Sequence, residues 1–164
     1  MYSVLIPTFN YDVTKLVSDL HRQATDLMLP FEIIVLEDGS DQFTEINCRV
    51  EQLSGCRYIS LKENIGRSKA RNYLAGIAQF NYLIIMDCDA EVFHDDFLRR
   101  YANFFRDEKV VVIGGTAYDS GVKDPRFSLR LKYGREREAN MLYHTREEGF
   151  NNFATFNFMI SRDV

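Results

Sequence analysis

Cysteine is scarce in this chain, and its spacing pairs nothing. Among 164 residues there are three, Cys48, Cys56 and Cys88, an odd number with no Cys-x-x-Cys. That excludes a disulfide framework and a zinc knuckle, and it fits a reducing cytoplasm. Long apolar runs are missing as well, since none approaches the ~18 residues that a membrane-crossing helix needs. The opening segment Met1-Tyr2-Ser3-Val4-Leu5-Ile6-Pro7 has neither the basic stretch nor the extended apolar core of an export signal. Excess positive charge is absent too: 20 Lys and Arg face 24 Asp and Glu, for a formal charge of -4. A nucleic-acid polymer is therefore not an expected partner, because binding a phosphate backbone calls for a basic balance or a clear basic face. A small anionic ligand held through a metal stays compatible. No low-complexity stretch, internal repeat or linker interrupts the chain.

What remains is the composition of a globular core. Hydrophobic residues make up 46% of the chain, with 13 Phe and 9 Tyr, and charged residues 27%. A chain of this length fits one domain, residues 1–164, and buries about 68–70% of its unfolded surface. Along it, strand and helix signals alternate. Tyr2 to Ile6 is an apolar run stopped by Pro7, which lacks a donor, and reads as a strand followed by a turn. Asp12 stands ready to cap a helix that places Val13, Leu16, Val17 and Leu20 on one face. Phe31 to Leu36 is a second strand, Gln42 to Leu53 a weaker helix, and Arg57 to Leu61 a short third strand. A helix from about Arg67 to Gln79 carries Ala70, Leu74, Ile77 and Ala78 on one face. Tyr82 to Met86 is a buried strand, Phe97 to Phe105 a helix, Val110 to Ile113 a strand, and Phe153 to Ile160 a final one. Strict alternation with right-handed crossovers predicts an α/β fold, a Rossmann-like, mostly parallel sheet flanked by helices.

The most informative segment is Tyr82-Leu83-Ile84-Ile85-Met86-Asp87-Cys88-Asp89-Ala90, where an apolar strand ends in two carboxylates one residue apart. An unpaired carboxylate costs several kcal/mol to bury, so Asp87 and Asp89 are expected to emerge at the carboxyl end of the strand. Open α/β sheets bind ligands at that edge. Two carboxylates there can share a hard divalent cation, which in turn holds a diphosphate. The plain alternative is a polar loop. Thr8-Phe9-Asn10 after the first strand and Glu37-Asp38-Gly39 after the second fall at the same edge. Asp38 can accept a hydrogen bond from the imide of a base, although Glu37-Asp38-Gly39-Ser40 also reads as a tight turn with Gly39 at positive φ. Asn64 and Gly66 likewise can simply start a helix.

Four segments in this order resemble an inverting glycosyltransferase of family 2, whose nucleotide-sugar domain has the GT-A fold. They are Ser3 to Asn10, Ile33 to Asp41, Asn64-Ile65-Gly66 with Ala70-Arg71-Asn72, and Ile85 to Asp89. The likeness covers residues 2–115 and returns near Asn157 to Arg162. It implies a nucleotide-binding half at 1–115 and the start of an acceptor half at 116–164. It also implies a nucleotide diphosphate-sugar donor with uracil as the usual base, and Mn2+ or Mg2+ as cofactor. Asp38 would contact the base, Pro7, Thr8, Phe9 and Asn10 would line the nucleoside pocket, and Asn64, Gly66 and Arg71 would shape it around the diphosphate. Asp89 would be the main metal ligand, and Asp87 would face the ribose or a metal-bound water. Transfer to an unknown sugar or lipid-linked acceptor, as in polysaccharide biosynthesis, is the activity implied. The cytoplasm, or a peripheral position at the inner face of a membrane, is the implied location.

Two departures stand out. Glu37 replaces the family's usual Asp, a change of length that keeps the charge and is expected to matter little. The later acidic pair that supplies the family's general base is not found, so the base is expected beyond Val164, and Glu147-Glu148 falls in the wrong order to replace it. Apolar surface beside Phe153, Phe156 and Phe158 would then favour self-association. The basic run Lys123, Arg126, Arg130, Lys132, Arg135 and Arg137 reads as a solvated face or as a contact for an anionic acceptor. Two other readings compete. Asp87-Cys88-Asp89-Ala90-Glu91-Val92 is similar to the strand-end nucleophile motif of haloacid-dehalogenase phosphatases, in which the first Asp is phosphorylated. A nucleotide-binding module without catalysis is the third.

Overall fold

The computed structural model describes residues 1–106, 109–118, 121, 124–139 and 154–164. The expectations placed on Lys123, Glu147, Glu148, Phe153 and the Arg137 side chain lie outside the described residues. In chain order the elements are β1 (Tyr2–Thr8), α1 (Thr14–Asp26), β2 (Phe31–Asp38), α2 (Thr44–Asn47), β3 (Cys56–Leu61), α3 (Arg67–Ile77) and β4 (Tyr82–Met86). They continue with α4 (Phe97–Ala102), β5 (Val111–Ile113), α5 (Ser128–Tyr133) and β6 (Asn157–Ser161). The six strands lie in the order β3-β2-β1-β4-β6-β5. β1 runs parallel to β2 and β4, β2 runs parallel to β3, and β6 runs antiparallel to β4.

Period-2 alternation along the central strands divides the core into two layers. Val4 and Ile6 of β1, Ile33 and Val35 of β2, and Ile84 and Met86 of β4 face α1 and α4, where Leu16, Val17, Leu20, Leu98 and Tyr101 meet them. Leu5, Ile34, Leu36, Leu83 and Ile85 face the other way, against Ala70 and Leu74 of α3. Residues buried on both sides explain why these strands read as continuous apolar runs rather than as alternating ones.

Several boundaries differ from the sequence expectation. Pro7 does not end β1, which continues to Thr8 in register with Glu37. The β4 side of β1 pairs only as far as Leu5 with Ile85, so the missing proline donor falls where one flank has no partner strand. The helix expected over 42–53 is a single turn, α2, followed by a 3₁₀ stretch at Cys48–Gln52. α3 stops at Ile77 and α4 at Ala102, each short of its expected end. Asp12 lies one position before the helix cap, yet its Oδ1 accepts from the Thr14 N–H at 2.9 Å and the Thr14 hydroxyl at 2.6 Å. The chain forms two compact units, Met1–Val112 with Thr155–Val164, and Ile113–Ala154. β6 thus belongs to the first unit. Phe158, expected to add exposed apolar surface, is instead buried beside Leu83 and Ile85, so self-association gains no support there.

Candidate nucleotide and metal site

β4 ends at Met86, and Asp87 is the first residue past it. Its amide donates to the Phe156 carbonyl at 2.8 Å, so the segment entering β6 pins the backbone where the acidic pair begins. The half-buried Cys88 side chain packs against the core between Asp87 and the exposed Asp89, and burial pushes its thiol pKa up. The Ala90 N–H returns to the Asp87 carbonyl at 3.2 Å, a turn that carries Asp89 outward. Both acids emerge at the carboxyl end of the strand, as burial cost requires.

The two carboxylates do not have the same surroundings. Asp87 lies 2.5 Å from the Arg71 guanidinium and 3.7 Å from that of Arg67. Arg71 also donates to the Thr155 carbonyl at 2.9 Å, bridging α3 to the start of β6. Asp89 makes no hydrogen bond or ion pair among the described residues. A hard cation takes oxygen ligands, and Asp89 is the carboxylate left available for one, with Asp87 beside it. Among the described residues no group of three or more His, Cys, Asp or Glu comes together. The donor set therefore fits a divalent ion that completes its coordination with oxygens of a bound diphosphate, rather than a cage built from protein alone.

The turns after β1 and β2 are joined to each other. Asn10 has φ 50, a region that Asn tolerates better than most residues. Its Oδ1 accepts from the Asp41 and Gln42 amides at 2.9 and 3.1 Å, and its own N–H donates to Ser40 Oγ at 2.9 Å. Thr8 and Pro7 are buried, so of the four residues from Pro7 to Asn10 it is Phe9 that presents its side chain to solvent, at 49% exposure. Asp38 is buried as well. Its two oxygens accept from the Ile65 and Gly66 amides at 2.7 and 3.0 Å, which fixes the segment leading into α3. The Asn64 side chain is exposed, and Gly66 has φ 87 at the cap of α3.

Three sequence-derived residues thus serve the protein's own architecture here: Asn10 ties two turns together, Asp38 holds the Ile65-Gly66 backbone, and Arg71 neutralises Asp87. Sequence reasoning missed Arg67, whose only signal is a cation at the first position of a helix aimed at this edge. It also missed Asn47, whose short α2 gives no periodic signal. Glu37 and Asn47 are fully buried, and Asn47 Nδ2 donates to Glu37 Oε2 at 2.9 Å and to the Tyr11 carbonyl at 2.8 Å.

With this geometry in place, comparison with known proteins is decisive. A model described as "Glycosyl transferase family 2" matches residues 3–164. The chain belongs to glycosyl transferase family 2. The hyaluronan synthase of Pasteurella multocida is 29% identical over 130 residues, covering 76% of this chain and 13% of that protein. The structure of Staphylococcus aureus TarS 1-349 in complex with UDP-GlcNAc matches with a TM-score of 0.61 at 25% identity, over 76% of this chain and 36% of that one. Mannosyltransferase PcManGT from Pyrobaculum calidifontis, in complex with GDP-Man and Mn2+, matches with a TM-score of 0.62 at 19% identity, over 99% of this chain and 44% of that one. This chain therefore spans less than half the length of each. The sheet order and flanking helices are those of the GT-A fold. Family membership also sets aside the phosphatase reading, in which Asp87 would need to be a free nucleophile; it is ion-paired to Arg71 instead.

Proposed function

We propose that this family 2 domain binds a nucleotide diphosphate-sugar, with uridine as the nucleoside, together with Mn2+ or Mg2+, for transfer of the sugar with inversion. The observation that carries this reading is the convergence at one sheet edge of the turns after β1, β2 and β4, with Asp89 unpaired among the described residues and Arg67 and Arg71 on the neighbouring Asp87. A leaving diphosphate gains charge as the glycosidic bond breaks, and a divalent ion at Asp89 would stabilise that charge. Arg67, 69% exposed and 3.7 Å from Asp87, would meet the same oxygens. Phe9 offers a face to the base, and Asp38 has lone pairs remaining for a uracil imide beyond the two bonds it already accepts. Inversion follows from direct displacement by one activated acceptor hydroxyl. The TarS complex holds UDP-GlcNAc and the PcManGT complex holds GDP-Man with Mn2+, which supports a nucleotide-sugar donor for this chain without fixing its sugar.

In this reading residues 1–115 form the nucleotide half and 116–164 begin the acceptor half, where Arg126, Arg130 and Arg135 would face an anionic or lipid-linked acceptor. The domain would work in the cytoplasm or at the inner face of a membrane; no helix among the described residues is long and apolar enough to cross one. Calorimetric titration with UDP, CDP and GDP, each with Mn2+ and with a chelator, tests the proposal. UDP should bind tightest, and the chelator should weaken it. Equal affinity for UDP and CDP would remove the uracil contact, and equal affinity with and without metal would remove the metal.

A further inference from the structure

Glu37, next to last in β2, has no exposed surface, and no Arg or Lys pairs with it among the described residues. Its carboxylate is instead the meeting point of three neutral donors. The Ser40 hydroxyl donates to Oε1, and Asn47 Nδ2 and the Tyr58 hydroxyl donate to Oε2, at 2.9 and 3.3 Å. Two of the three, Ser40 and Asn47, lead on to the turn after β1. Ser40 Oγ accepts the Asn10 N–H at 2.9 Å, while Asn47 donates to the Tyr11 carbonyl at 2.8 Å and accepts the Val13 N–H at 3.0 Å through Oδ1. One side chain therefore holds residues 10–13 from both ends and ties them to the 40–47 segment.

We infer that Glu37 is a positioning residue for the nucleoside side of the crevice, and that the length of its side chain rather than its charge is what the site requires. This rests on the reading that the crevice binds a nucleoside diphosphate. On this inference Glu in place of Asp would matter, against the expectation drawn from the sequence. Asp would withdraw the carboxylate by one methylene, about 1.5 Å, and the Asn47 and Tyr58 bonds would stretch beyond hydrogen-bonding range. Asn47 is fully buried, so its amide would turn elsewhere and release the turn it holds. Gln keeps the reach. Its carbonyl oxygen can take Oε2's place, and its amide can donate to Ser40 Oγ, since a hydroxyl accepts as readily as it donates. Phe9, the exposed side chain of that turn, is positioned through this hub.

The test compares Glu37→Asp with Glu37→Gln, well below the unfolding midpoint of each. Amide exchange is followed in the chain alone, and UDP with Mn2+ is titrated calorimetrically. Glu37→Asp should speed exchange at Val13, Asp41 and Gln42 about tenfold or more and weaken UDP by a similar factor, about 1.4 kcal/mol. Glu37→Gln should keep both close to those of the unsubstituted chain. The inference is overturned if Glu37→Asp leaves exchange at those amides unchanged, or if it raises exchange evenly through α1 and the central strands. It is overturned equally if Glu37→Gln does as much harm as Glu37→Asp, since charge would then be the requirement. Failure of the unsubstituted chain to bind UDP would refute the nucleotide reading, while the local exchange pattern would still decide what Glu37 holds.

Discussion

Two glycines in the same crevice carry different demands. Gly39 has φ +69, and a Cβ there would lie 2.5 Å from the Glu63 carbonyl carbon, inside the backbone that leads to Asn64. Gly66 has φ +87 but open space around it. Gly39→Ala should therefore cost more than about 2 kcal/mol, from strain and collision together, and Gly66→Ala about 1 kcal/mol from strain alone. Urea denaturation of both variants measures this, and equal losses would mean that the Asn64 backbone yields freely. Asp89 and Asp87 separate in a similar way. Asp89→Ala should abolish most of the difference in UDP affinity between Mn2+ and chelator. Asp87→Ala should also loosen Arg71, which would lose its 2.5 Å partner and, among the described residues, keep only the Thr155 carbonyl. The sequence placed both acids at this edge. It held no sign that one of them is neutralised by a cation sixteen positions earlier, because that pairing depends on how α3 crosses the sheet.

At the scale of elements, β6 contributes more than a strand. It runs antiparallel beside β4, and the residues that lead into it, Thr155 and Phe156, bind Arg71 and the Asp87 amide. Met159, fully buried at its centre, packs in the layer that holds Ile84 and Met86. Met159→Ala should cost about 2–5 kcal/mol. It should also weaken UDP binding beyond what unfolding explains, since β4 and the acidic turn would lose their brace. Stability by denaturation and affinity by calorimetry distinguish the two effects, and unchanged affinity would limit β6 to a packing role. The apolar run near residue 157 was legible, but its direction was not, since hydrophobic pattern is the same for parallel and antiparallel pairing. α2 shows the opposite limit. A weak amphipathic stretch over 42–53 suggested a full helix, whereas Asn47 turns inward to bond Glu37, Tyr11 and Val13.

For the molecule as a whole, half-buried neutral acids set an alkaline limit. Burial pushes the Cys56 thiol up to about 11, and burial together with the nearby Glu37 charge pushes Tyr58 up to about 12. Both groups are held neutral in the fold and ionise at lower pH once unfolded. Their contribution to stability is thus complete below the unfolded values, about 8.5 for Cys and 10 for Tyr, and is lost as pH rises through about 11 and 12. Urea midpoints should be flat from pH 7 to 8.5 and fall steadily above 9, with Tyr58→Phe reducing the later part of the fall, to which the buried Tyr2 hydroxyl also contributes; a midpoint constant to pH 11 would contradict this. The alternation of apolar runs and helical faces by itself determined an α/β sheet with its polar turns gathered at one edge. It did so because burial cost alone decides where a run must stop and where a carboxylate must emerge. Which polar groups are already taken was decided only by the tertiary structure. Asp38 spends two bonds on Ile65 and Gly66, Asn10 spends its carbonyl on Asp41 and Gln42, and Glu37 gathers Ser40, Asn47 and Tyr58. A hydrogen bond needs its partners within about 3.5 Å, and separations of that size between residues tens of positions apart are set by the packing of helices on the sheet.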